Sequence, residues 1–136
     1  MSRMFAAAFG GFLTLCAPAT VFAGDTDTDA CVEAWKADVQ RMVNSRCVTC
    51  HQNAAPAGNL SLQRGTAPGS LIDQPSDQSE LVYVKPGSLE DSYLFRKLEG
   101  THLEAGGSGQ RMPLGGSLSE SDLAIIETWI TGCAGE

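Results

Sequence analysis

Apolar side chains recur at helical spacing around residue 35, where Val32, Trp35, Val39, Met42 and Val43 fall on one stripe. The stripe predicts a helix over residues 30–46, with Asp29 in position to cap it. From Gln52 to Gln78 the period is lost and Ala, Pro, Gly, Asn and Ser dominate, which predicts loop with at most one short turn. Leu60 and Leu62 interrupt that polar stretch and need an apolar surface, either ordinary core or the face of a bound group. Residues 81–84 form a short apolar run closed by the turn residues Lys85-Pro86-Gly87. Ser88 and Asp91 then have N-cap and N3 spacing, predicting a second helix that carries Leu89, Tyr93, Leu94 and Leu98 and stops at Gly100. From Glu99 to Gly116 the helical period is absent, and Gly106, Gly107, Gly109, Gly115 and Gly116 make the chain costly to order; loops of this kind persist for a functional reason or stay mobile. The last helix has the clearest pattern. Ser119 and Asp122 read as a capping box, and Leu118 and Leu123 as a hydrophobic staple. Its core side is Leu123, Ile126, Ile130 and Cys133, widened by Ile125 and Trp129, with Gly132 at its end.

The first residues follow a different pattern. Arg3 precedes an apolar run from Met4 to Leu15, and Val21-Phe22-Ala23 places small residues at −3 and −1, so residues 1–23 are expected to be a secretory signal peptide. Cys16 leaves with it; a lipoprotein reading would acylate Cys16, but the preceding Leu15 is bulky for such a site. Residues 24–28 read as a short acidic, solvated leader, and residues 29–136 as one domain. No later run approaches the roughly 18 apolar residues of a membrane span. The expected location is therefore periplasmic or otherwise exported. The net charge of −7 becomes more negative once Arg3 is lost, which argues against nucleic acid as a partner.

Candidate chemistry concentrates in Cys47-Val48-Thr49-Cys50-His51, a C-x-x-C-H pattern for covalent haem attachment. Each sulfur must reach one vinyl-derived carbon on the same edge of a flat macrocycle while the histidine turns under the iron, and one helical turn supplies that spacing. In a chain of this composition the pattern arises by chance about 0.003 times. A zinc site would want a second close pair of Cys or His, and a redox-active pair a βαβ context; the sequence offers neither. His51 would ligate iron through Nε2 and leave Nδ1 to an acceptor, for which the Pro56 carbonyl is one candidate.

Once Cys16 is gone, Cys31 and Cys133 remain beside the haem thiols, and in an oxidising compartment they are expected to form a disulfide rather than remain two separate buried thiols. That bond would require the first and last helices to pack together. Two methionines also remain. Met42 lies in the helix that delivers Cys47, too near to cross the haem, whereas Met112 is 61 residues beyond His51 and has the reach to be the second axial ligand. His102 competes for that position. Arg111 can pair with a propionate or stay solvated, and Tyr93 can bond a propionate or act as a core tyrosine with an exposed hydroxyl.

In their order, these segments resemble a class I c-type cytochrome, a bacterial mono-haem domain. The resemblance rests on the haem motif, on Gly58-Asn59-Leu60-Ser61-Leu62, on Lys85-Pro86-Gly87 with Ser92-Tyr93-Leu94, and on Arg111-Met112-Pro113 followed by Gly115-Gly116 and Leu118-Ser119-Glu120. It spans Cys31 to Gly132. It implies an all-α fold with crossed N- and C-terminal helices and long haem-wrapping loops. It also implies one covalent haem c, with iron held by His51 and Met112, and one-electron transfer to redox partner proteins without a small-molecule substrate. Paired terminal cysteines are not general to that family, so the disulfide stands on the cysteine count alone. The competing expectation is a five-coordinate or bis-His haem, as in a gas sensor or a peroxidase-like enzyme, and a zinc module is the reading without haem.

Overall fold

A computed structural model describes residues 26–133. The expected signal peptide, Cys16 and the first residues of the expected leader lie outside them. Among the described residues the regular structure is helical: α1 (Thr26–Ala34), a π-helical turn (Trp35–Val39), α2 (Gln40–Arg46), a 3₁₀ turn (Ala57–Asn59), α3 (Tyr93–Glu99) and α4 (Glu120–Gly132). Strand pairing is limited to isolated bridges such as Ile72 with Val84 and Val82 with Ser92.

The first predicted helix is present but starts earlier and changes pitch. It begins at Thr26, so Asp29 lies inside it rather than capping it. The widened turn at Trp35–Val39 separates α1 from α2 and buries both Trp35 and Val39. Within it the Trp35 indole N–H donates to Gln40 Oε1 at 2.7 Å. Gln40, 3 % exposed, in turn donates to Asn44 Oδ1 at 2.8 Å and reaches the Leu62 carbonyl. A buried amide thus stitches the first helix to the loop that follows.

α4 packs on this helix. Cys31 and Cys133 form a disulfide with Cα atoms 4.9 Å apart, inside the usual range for such a bond. One turn further in, the rings of Trp35 and Trp129 meet edge to face with centroids 4.8 Å apart, and the Trp129 indole N–H donates to the Cys31 carbonyl at 2.9 Å. Ile126, Trp129 and Ile130 complete the seam. The N-terminus of α4 is capped by half of the expected box: Asp122 N–H donates to Ser119 Oγ at 3.1 Å, while the Asp122 carboxylate faces Arg46 at 3.4 Å.

One expectation needs correction. The second helix begins at Tyr93, one turn later than Ser88 predicts. Ser88 and Asp91 do bond each other, but as a turn. The Ser92 hydroxyl, fully buried, is held by Ser88 and Lys85, which fixes Ser92 in an extended conformation. The first N–H groups of α3 then go to the Val82 and Tyr83 carbonyls at 3.0 and 2.8 Å, so the extended run caps the helix. Gly100, at φ +98°, ends it as expected. Residues 52–78 are loop with one short 3₁₀ turn, as expected, but burial there extends beyond Leu60 and Leu62. Leu71 is fully buried and Ile72 nearly so, and Val84 bridges Ile72 by accepting from Asp73 N–H and donating its own N–H to the Leu71 carbonyl. These residues add a third wall to the core.

Candidate cofactor site

The C-x-x-C-H segment follows directly from α2. Cys47 caps that helix with its N–H on the Val43 carbonyl at 2.8 Å, and its own carbonyl accepts from Cys50 N–H at 3.2 Å and His51 N–H at 3.0 Å. The motif therefore keeps helical hydrogen bonding for one more turn. Cys47 is half-buried and Cys50 exposed, and both are free thiols. Burial pushes the Cys47 thiol up to about 11, with the Arg46 guanidinium opposing and Asp122 adding to the shift. A redox-active C-x-x-C pair needs the opposite, a thiol whose pKa is lowered.

His51 is oriented from the loop. Its Nδ1 lies 3.0 Å from the Leu60 carbonyl, not from that of Pro56. The 3₁₀ turn makes the difference: Gly58 at φ +59° and Asn59 at φ +56° reverse the chain and swing the Leu60 carbonyl towards the ring. Leu62 N–H closes the same turn on the His51 carbonyl at 2.9 Å. With Nδ1–H donating to that carbonyl, Nε2 is the nitrogen with a lone pair for a metal.

Met112 arrives from the glycine-rich segment, which is anchored on α3. Met112 N–H donates to the Lys97 carbonyl at 3.0 Å, and Arg111 Nε–H to the Leu98 carbonyl at 2.8 Å. Arg111 thus works as a clamp on the helix end. Gly107 lets the segment lie flat on α3: a Cβ there would sit 2.5 Å from Tyr93 Cε2 and 2.6 Å from the His102 carbonyl.

All four candidate haem residues line one cavity of about 260 Å³: Cys47, Cys50, His51 and Met112. Trp35, Met42, Val43, Leu60, Leu62, Leu94, Leu98 and Ile126 supply its apolar walls, and Pro113 and the exposed Leu114 stand beside Met112. Leu60 and Leu62 therefore face the cavity and the core together. His102, the rival ligand, is outside the lining; it is 3 % exposed and its Nε2 lies 3.0 Å from the Gly109 carbonyl. Comparison with protein-family models, curated proteins and solved structures finds no match.

The donor set fits a tetrapyrrole. Two thiols at the required spacing, an imidazole with its far nitrogen engaged, and a thioether share one apolar space. Among the described residues, no group of three or more His, Cys, Asp and Glu side chains converges on a point where a bare ion would sit. The cavity also holds polar residues that the hydrophobic pattern does not announce. Tyr93 is 2 % exposed, and its hydroxyl turns inward to Gln78 Oε1 and the Ser108 carbonyl, both at 3.3 Å, instead of facing water. Lys97, 7 % exposed, lies beside it, and burial pushes its ammonium below the usual lysine range. The available sequence signal was its i, i+4 spacing from Tyr93, next to Leu98 on the core side of the helix.

Proposed function

We propose that this chain is an exported one-electron carrier of the class I c-type cytochrome kind, holding a single covalent haem c with iron between His51 and Met112. The observation that carries the reading is the shared cavity: Met112 and His51, 61 residues apart, line the same apolar space as both motif thiols. A haem bound there would supply a one-electron ferric–ferrous couple.

The chain's own residues have definable tasks. Cys47 and Cys50 would provide the thioether sulfurs, and the Leu60 carbonyl would hold the His51 ring in the tautomer whose Nε2 can ligate. The clamp from Arg111 and Met112 to the end of α3 would keep the thioether sulfur in place. A thioether is a weaker donor than a second imidazole, so a Met112 ligand favours the ferrous state. The apolar walls would exclude water, and His51 and Met112, if both held the iron, would leave no open position for a substrate or oxygen. Redox partner proteins are then the natural counterparts. Among the described residues no helix is long and apolar enough to cross a membrane.

The test is an optical spectrum of the purified protein, expressed with haem-attachment machinery, in oxidised and reduced forms. Covalent haem with the weak red-end band of sulfur-ligated ferric iron is expected, and the band should vanish in Met112→Ala. Covalent haem without the band, together with rapid and complete binding of carbon monoxide or cyanide by the unaltered protein, would replace the carrier by a five-coordinate sensor or peroxidase-like protein. Zinc without haem would leave a structural metal module.

A further inference from the structure

Lys97 is almost fully buried in the wall of the cavity, yet among the described residues it takes part in no ion pair. Its ammonium is held by neutral oxygens: Gln78 Oε1 at 3.0 Å, the Tyr93 hydroxyl at 3.4 Å and the Ser108 carbonyl. It also lies 5.6 Å from the centroid of the Tyr93 ring. Neutral acceptors solvate a cation but do not cancel its charge, and a buried charge without an opposite one is costly. The surroundings are arranged for donation. Gln78 directs its oxygen to Lys97, which leaves its amide N–H groups, on the side of Gly58, to donate elsewhere. The Tyr93 hydroxyl, whose proton goes to the Gln78 oxygen or the Ser108 carbonyl, braces the pair from the side. Gln78, Tyr93 and Lys97 all line the cavity.

A cation flanked by an amide and a phenol, facing an apolar space, suits a carboxylate at the edge of an otherwise apolar ligand. We infer that Lys97, supported by Gln78 and Tyr93, is the counter-ion of one haem propionate. The inference rests on the haem reading above. It assigns the polar end of the cavity to the segment where Gln78, α3 and Ser108 meet, and it makes Lys97 a cofactor-positioning residue in addition to the backbone anchor of Met112.

The experiment uses the holoprotein with haem whose two propionate carboxyl carbons carry a ¹³C label, followed by NMR in the reduced state. In the unaltered protein one carboxyl resonance should hold its ionised position as the pH is lowered from about 8 to about 5, while the other moves as an ordinary carboxylate does. Lys97→Met should shift the held resonance and make it titrate, leaving the other in place, and Lys97→Arg should restore it. Two resonances that titrate alike in the unaltered protein overturn the pairing. So does a Lys97→Met holoprotein whose resonances stay where they were. If Lys97→Met does not accumulate, the unaltered protein and Lys97→Arg still decide. Haem that never becomes covalently attached overturns the functional reading itself, a result distinct from attached haem whose carboxyls ignore Lys97.

Discussion

At the scale of single residues, the two motif thiols are chemically unequal before any cofactor arrives. Cys50 is exposed, whereas burial lifts the Cys47 thiol from its ordinary 9.0 to about 11. At pH 8 only about a thousandth of Cys47 is thiolate. Alkylation of the haem-free protein with iodoacetamide is therefore expected to modify Cys50 first, with Cys47 at least about tenfold slower, and peptide mass spectrometry reads the order. Equal rates would mean that Cys47 is not held against Val43 and the α2 terminus as described. The sign of the linked stability follows. The folded state holds this proton more tightly than the unfolded one, so the stabilisation is complete below about pH 9 and is lost as the pH rises through about 11. Residue type and spacing single out Cys47, Cys50, His51 and Met112 in the sequence, and the fold brings those four to one cavity. Lys97, Gln40 and the Leu60 carbonyl are not legible there. A lysine or glutamine in a helix reads as surface until its neighbours are known, and a backbone carbonyl leaves no trace in the residue alphabet.

At the scale of elements, sequence reading did well where a helix carries its own cap and poorly where a cap comes from elsewhere. α4 has Ser119 at its start and an apolar stripe behind it, and it forms where expected. α3 has no side-chain cap; its first N–H groups rely on the Val82 and Tyr83 carbonyls, a tertiary arrangement that the Ser88–Asp91 spacing conceals. The π-helical turn is hidden for a similar reason. Trp35 and Val39 fit an α-helical stripe, and only packing on Trp129 and the bond from Trp35 to Gln40 favour the wider pitch. The contrast gives a measurable outcome for α4. Ser119→Ala removes the acceptor of Asp122 N–H and is expected to cost about 1 kcal/mol in chemical denaturation, with Ser119→Asp retaining most of it. Under the proposed haem reading neither change should disturb the ferric spectrum, because Ser119 is exposed and outside the cavity lining. A loss near zero would mean that water caps the helix equally well.

At the scale of the whole molecule, the cavity is a space between segments and has no owner in the sequence. One wall is the first helix, a second is α3 with the Met112 segment, a third is α4, and the chain from His51 to Leu62 closes it. Those walls keep their places only if the first and last helices stay together, because Trp35 and Ile126 belong to both the helix seam and the cavity lining. The Cys31–Cys133 disulfide joins those helices across a sequence separation of 102 residues. By the chain-entropy argument a loop of that length restricts the unfolded chain by up to about 4.7 kcal/mol, and typical measured effects are about 2–4 kcal/mol. The Cys31→Ser, Cys133→Ser double variant is therefore expected to unfold at a clearly lower denaturant concentration, with a loss in that range. Neither cysteine lines the cavity, so, if the chain holds the proposed haem, the holoprotein that remains folded should keep the sulfur–iron band and its reduction potential. A variant that loses stability but keeps the band places the disulfide's role in holding the helices together. A variant that loses the band while still folded would mean that strain at the helix seam is transmitted through Trp35 and Ile126 to the Met112 side of the cavity. The disulfide would then tune the iron's ligands as well as hold the walls together.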